Sequence, residues 1–162
     1  LVSNVCQCAV PEEAYLGGLL HDMGFILLDQ HLRKHFCQVV SRVDESTLTT
    51  EIEQEVFTFD HAELAAFVAR KWQFAEQIVA AIRYHHYPER YEGPHQEIVF
   101  VVSAANYFCS HAGRSSLGVH NVPAPSDAVY NMLGLQQDKL SMIFEQLDAA
   151  LEAADLGGGL SG

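Results

Sequence analysis

The sequence predicts an all-α domain of about six to eight helices. Apolar residues recur at three- and four-residue spacing along nearly the whole chain, without the strict alternation of a half-buried strand. Helix-start and helix-stop chemistry punctuates that pattern at short intervals. With 162 residues, 49% of them apolar, the chain has the material for one core.

Taken in order, Pro11-Glu12-Glu13 opens the first clear helix, with Pro in the first turn and two carboxylates at the positive end of the helix dipole. Leu16, Leu19, Leu20 and Met23 continue it, and Gly24 suits its C-terminal stop. Phe25 to Leu28 reads as a short apolar turn. The next helix, roughly 31–43, places Phe36, Val39, Val40 and Val43 inward. A shorter one forms around TEIEQEVF, where Glu51, Glu53 and Glu55, with Asp44 and Glu45 before them, read as a solvated face. Asp60 is the N-cap of HAELAAFVARKW, whose Leu64, Phe67, Val68 and Trp72 share one face, with Trp72 as core anchor. A separate helix, about 74–86, buries Ile78, Val79 and Ile82, and YPERYEGPH after it is turn chemistry. QEIVFVVSAANYFCSH, roughly 96–111, is apolar on most sides and therefore central. A loop of about fifteen residues follows, long enough to serve a functional or partner-facing role. Helices near 126–132 and 136–154 precede LGGGLSG, residues 156–162, which is expected to be disordered.

A formal net charge of -12, with nine Lys and Arg, argues against non-specific binding to nucleic-acid backbones. No apolar run approaches the roughly 18 residues of a membrane span, and no basic flank marks a signal peptide. Cys6, Cys8, Cys37 and Cys109 lack C-x-x-C spacing and read as reduced thiols of a cytoplasmic protein. Proteins, small molecules or cations remain as partners, and nine His beside 21 acidic residues supply many potential metal ligands. The chain starts without Met inside a helical pattern and reads as a fragment lacking its N-terminal helices.

Four places could carry chemistry: His21-Asp22 at the end of one helix, His61 at the start of another, His85-His86 at the end of a third, and Asn106 in the central one. Imidazole and carboxylate suit Fe, Mn, Zn or Ni, and helix ends let such side chains converge across a bundle. Gly17 and Gly18, one turn before His21, would admit a neighbouring helix or a ligand. The plain alternatives are a helix-end ion pair for His21-Asp22, a first-turn position for His61 and a satisfied core amide for Asn106. His31, His35, His95, His111 and His120 share no pattern and are expected at the surface.

The string AYLGGLLHDMG, then FDHAELAAFVARKWQFAEQIVAAIRYHH, then FVVSAANYF resembles the HD superfamily of metal-dependent phosphohydrolases, and within it the HDOD branch, the HD-related output domain of bacterial signalling proteins. The resemblance runs from about residue 10 to 112. It implies an HD-type helical bundle over residues 1–155, with His21 and Asp22 as the HD ligands and His61, His85 and His86 at later ligand positions of a divalent transition-metal site. Asn106 is a further candidate there. Three departures stand out against active relatives: no His lies between residue 1 and His21, so that ligand is either lost or precedes residue 1, Phe25 replaces a Lys after HD-x-G, and Asn106 stands in place of an Asp. The G-Y-P signature of the cyclic-dinucleotide branch is also missing. The resemblance thus implies a bacterial signal-transduction module with a partly degenerate metal site that acts through protein contacts. The alternative is a divalent-metal-dependent phosphohydrolase acting on a cyclic dinucleotide, nucleotide or phosphomonoester, with room for a small phosphate ligand.

Overall fold

In the computed structural model, which describes residues 1–118 and 122–158, every regular element is helical. In chain order these are α1 (Val2–Val5), α2 (Pro11–Leu20), α3 (Met23–His31), α4 (Arg33–Val40), α5 (Thr49–Phe57), α6 (His61–Lys71), α7 (Glu76–Tyr84), a 3₁₀ turn (Pro88–Arg90), α8 (Gln96–His111), α9 (Asp127–Leu133) and α10 (Gln137–Gly158). Two helices exceed the expected number: α1, and α3, which covers the stretch expected to be a turn. The end of the expected disordered tail, residues 159–162, lies outside the described residues, as does His120.

Helices α2, α7 and α8 pack against one another, and α6 and α3 extend the layer on the far side of α7. Three apolar clusters hold this arrangement. The largest joins Ile98, Val99, Val102 and Phe108 of α8 to Ala14, Ala81, Val129 and Ile143. A second sets Ala65, Ala66 and Ala69 of α6 against Ile78, Val79 and Ile82 of α7. The third gathers Leu28, Phe36, Val39 and Ile52 around α3, α4 and α5.

Small residues decide how closely the layers approach. The buried face of α6 is Ala62, Ala65, Ala66 and Ala69, while Phe67 is 59% and Trp72 61% exposed, so Trp72 is not the core anchor that apolar periodicity suggested. A helix that packs tightly turns its small residues inward and leaves its bulky ones outside. Leu19 is exposed for the same reason, since α2 buries Ala14 and Gly17, while Val40 falls on the outer face of α4, whose buried residues are Phe36 and Val39. Gly24 is not a helix stop either: it lies in the first turn of α3, where an added Cβ would stand 2.1 Å from the His61 carbonyl oxygen. Gly17 is less tight, with a Cβ meeting the Ala81 side chain at 3.2 Å, whereas Gly18 has open space.

Candidate metal centre

Two of the site's histidines are helix C-caps. His21 follows α2 and His85 follows α7, each in αR conformation. The last carbonyls of a helix lack intrahelical donors, and each ring supplies one. His21 Nδ1 donates to Gly18 O at 2.6 Å, and His85 Nδ1 donates to Ile82 O at 2.8 Å. With Nδ1 protonated and committed, each Nε2 is turned toward Asp22. His61 reaches the same place from a helix start. Asp60 caps α6, accepting from Glu63 N while the Glu63 carboxylate accepts from Asp60 N, and this capping box sets His61 as the first helical residue.

Glu53 fixes the third ring. Its Oε2 accepts from His61 Nδ1 at 2.7 Å and from His61 N at 3.1 Å, and both side chains are fully buried. The reading of Glu51, Glu53 and Glu55 as a solvated face therefore fails at Glu53. The signal was present in the sequence: Glu53 shares its helical phase with Thr50, Val56 and Phe57, the inward side of α5.

Three imidazoles thus turn Nε2 toward one carboxylate. Asp22 Oδ1 lies 3.3 Å from His61 Nε2 and 3.6 Å from His85 Nε2, and Asp22 Oδ2 lies 3.3 Å from His21 Nε2. His86 Nε2 is 3.0 Å from His61 Nε2. Asp22, His61, His85 and His86 can each offer one ligand atom, all within 4.8 Å of one another. Among the described residues, His21 Nε2, Asp22 Oδ1 and His85 Nε2 are buried with no hydrogen-bond partner. Buried polar atoms are rarely left so, and a nitrogen lone pair facing a carboxylate oxygen needs a cation between them. The donor set, imidazole nitrogen with one carboxylate, is that of Fe, Mn, Zn or Ni, so the residues fit such an ion.

The electrostatics point the same way. Burial alone would raise Asp22, but the imidazoles of His21, His61 and His85 outweigh it and hold the carboxyl well below its usual range. Burial would lower His61, yet Asp22 and Glu53 push it up to about 10, so a proton on Nε2 takes the place a cation would fill. Asp22 and the Gly18 carbonyl likewise raise His21 against its burial. Burial dominates at His85, lowered to about 4, and at His86, pushed well below its ordinary value with the help of its charged neighbours.

A cavity of about 50 Å³ opens beside the cluster, with Asp22, His61 and His86 in its lining. Asn106 also lines it, so the structure brings this candidate to the cavity wall beside the histidines. Phe25 stacks on His61 with ring centroids 4.0 Å apart, an apolar plate where the resemblance would have placed a Lys. Among the described residues no Lys or Arg lines the space. The remaining histidines stay apart: His31, His35 and His111 are exposed and His95 is half-buried.

A helical bundle whose helix ends bring HD and later histidines to one carboxylate is an HD-type domain. The HDOD domain family profile matches residues 1–88, and the chain belongs to that family. Two solved structures resemble it. One, from Marinobacter aquaeolei VT8 and assigned by its name to signal transduction, is 28% identical, with a TM-score of 0.74 over 88% of this chain and 30% of its own. The other, an HDOD domain protein of unknown function from Geobacter sulfurreducens, is 24% identical, with a TM-score of 0.68 over 97% of this chain and 55% of its own. An uncharacterized protein of Treponema pallidum (strain Nichols) is 22% identical over 99 residues, 60% of this chain and 19% of that protein. The chain therefore spans only part of each of these relatives. No described helix is long and apolar enough to cross a membrane.

Proposed function

We propose that this HDOD chain is a signalling module that holds one divalent transition-metal ion and acts through protein contacts rather than turnover. The observation that carries the ion is the shared arrangement of His21, His61 and His85. Each commits Nδ1 to an acceptor, Gly18 O, Glu53 or Ile82 O, and turns Nε2 toward Asp22. Such outer partners orient metal-ligating histidines and raise their basicity. Asp22, His61, His85 and His86 would hold the ion, with His21 on the far carboxylate oxygen and Asn106 within the same cavity. When bound, an ion there supplies positive charge and can acidify a water molecule enough to attack phosphorus.

The protein-contact part rests on what surrounds the cluster. A cavity of about 50 Å³ is far below the several hundred that an organic ligand fills. Its lining carries no Lys or Arg among the described residues to meet a phosphate. Outside, Tyr15, Leu19, Ile26, Phe67 and Trp72 are each more than half exposed on α2, α3 and the α6 end, apolar surface suited to a partner. The name of the Marinobacter aquaeolei relative supports a signalling role.

The test is elemental analysis of untagged protein, wild type against His61→Ala and His85→Ala, with a hydrolysis screen of cyclic dinucleotide, nucleotide and phosphomonoester. About one ion per chain that the variants lose, without turnover, is the expected result. Metal at background in the wild type would overturn the ion. Metal-dependent hydrolysis abolished by Asp22→Ala would instead make the protein a phosphohydrolase.

A further inference from the structure

The cavity beside the cluster has two unlike walls. Asp22, His61 and His86 form one, so the ion that they are proposed to hold would border the cavity. The other is polar but uncharged, with Thr50, Tyr87, Asn106 and Ser115 in the lining. Thr50 Oγ1 and Tyr87 Oη share a hydrogen bond of 2.8 Å, which uses one hydroxyl proton and leaves the other to donate elsewhere. Ser115 Oγ is buried with no hydrogen-bond partner among the described residues, a state that a buried hydroxyl seldom keeps. Phe25, Leu48 and Leu117 add apolar surface to the same space.

Size and charge narrow what fits. A water-sized group takes about 10–15 Å³ of such volume, so about 50 Å³ holds roughly three to five of them. An ion takes one of these places, which leaves about two to four atoms for a ligand, too few for a phosphate ester. Ligating imidazoles are neutral, so a divalent ion and the Asp22 carboxylate together leave one positive charge. Glu53 lies behind His61, where its carboxylate already accepts from His61 N and Nδ1. With no Lys or Arg in the lining among the described residues, one negative charge is the most that the site can neutralise.

We propose that the ion-loaded cavity is a binding site for a small monocarboxylate of the size of acetate, its carboxylate shared between the ion and the donors Ser115 and Asn106, its short apolar end against Phe25 and Leu117. The proposal rests on the ion reading above and gives the signalling module an input: a small acid that occupies the site without being turned over. It also gives Asn106 a place in the site that ion ligation does not require, since Asp22, His61, His85 and His86 supply the ligand atoms.

The test is titration of the Co²⁺-loaded chain with acetate, butanoate, inorganic phosphate and acetamide, followed by visible absorption, beside calorimetry of acetate on the ion-free chain. Acetate is expected to shift the Co²⁺ bands to saturation. Butanoate is expected to fail on size, phosphate on size and charge, and acetamide on its lack of charge, each at least about tenfold weaker, and the ion-free chain should take up no acetate. Ser115→Ala should weaken acetate about tenfold, the loss of one hydrogen bond to a charged group, whereas Ser115→Thr, which keeps the hydroxyl, should retain it. Any of the other three probes binding as tightly as acetate, or an unaltered acetate affinity in Ser115→Ala, would overturn the proposal. So would silence toward acetate from a chain that holds its Co²⁺, and each of these results leaves the ion site standing. Failure of the chain to hold Co²⁺ at all would remove both.

Discussion

Gly24→Ala is the sharpest test of how the fold holds its site. A Cβ at position 24 would stand 2.1 Å from the His61 carbonyl oxygen and 2.7 Å from its carbonyl carbon, both backbone atoms that no rotamer change can move. Bringing the nearest contact out to 3.0 Å needs α3 and the first turn of α6 to separate by about 0.9 Å. Overpacking of this kind costs about 1–3 kcal/mol. The same movement draws apart Asp22, two residues before Gly24, and His61, whose Oδ1–Nε2 distance of 3.3 Å would grow by a comparable amount. Metal–ligand distances tolerate only about 0.2 Å, so ion affinity should fall by at least tenfold. Gly18→Ala is the control. It lies inside α2 with nothing within 4 Å of an added Cβ, so it should stabilise by about 0.5–1 kcal/mol through backbone entropy. Urea denaturation and ion titration of both variants provide the measurement. Equal effects of the two substitutions, or a neutral Gly24→Ala, would refute the close-approach argument.

Glu53→Gln keeps the size of the side chain and one acceptor for His61 but removes the charge that holds its Nδ1 proton; it should lose about 1.5–3 kcal/mol of stability and 10- to 100-fold in ion affinity, measured by denaturation and chelator competition, and unchanged values for both would show Glu53 to be a bystander. The ion-free protein should be most stable near pH 6.5. His61, raised to about 10, contributes stability that is complete below 6.5 and lost as pH rises toward 10. His85, lowered to about 4, contributes stability that is complete above 6.5 and lost as pH falls toward 4, on the order of 3 kcal/mol. His86 adds to this acid limb. Denaturation midpoints across pH 4–10 check the profile; bound ion should flatten the alkaline limb by replacing the His61 proton, and a flat ion-free curve would contradict these environments.

The legible part of this protein is its helix punctuation. Pro11 and Asp60 marked their helix starts, and the HD and HH pairs marked two helix ends. What could not be read was which face of a helix lies inward when small residues do the packing. On α6 the bulky stripe of Phe67 and Trp72 outweighs alanines in any hydropathy count, yet the alanines are buried because that face packs against Ile78, Val79 and Ile82 of α7. Gly24 read as a helix stop, and only the position of His61 reveals the close approach it permits. Glu53 was hidden by its neighbours: two exposed glutamates flank it, and composition made three acids look alike where helical phase sets one apart.

His21 and His85 explain why fold and site cannot be altered separately. Each ring N–H that closes a helix end is also the proton that fixes the ring's tautomer, so one hydrogen bond both caps the helix and turns Nε2 toward Asp22. Replacing either ring with a residue that cannot cap loosens α2 or α7 even before any ligand is lost. Conversely, an ion shared by Asp22, His61, His85 and His86 would tie together the end of α7, the start of α6 and the start of α3. At a hundredfold excess over its dissociation constant such an ion adds about 2.7 kcal/mol to the folded state. That stabilisation would fall on the α2–α3 junction, the start of α6 and the end of α7.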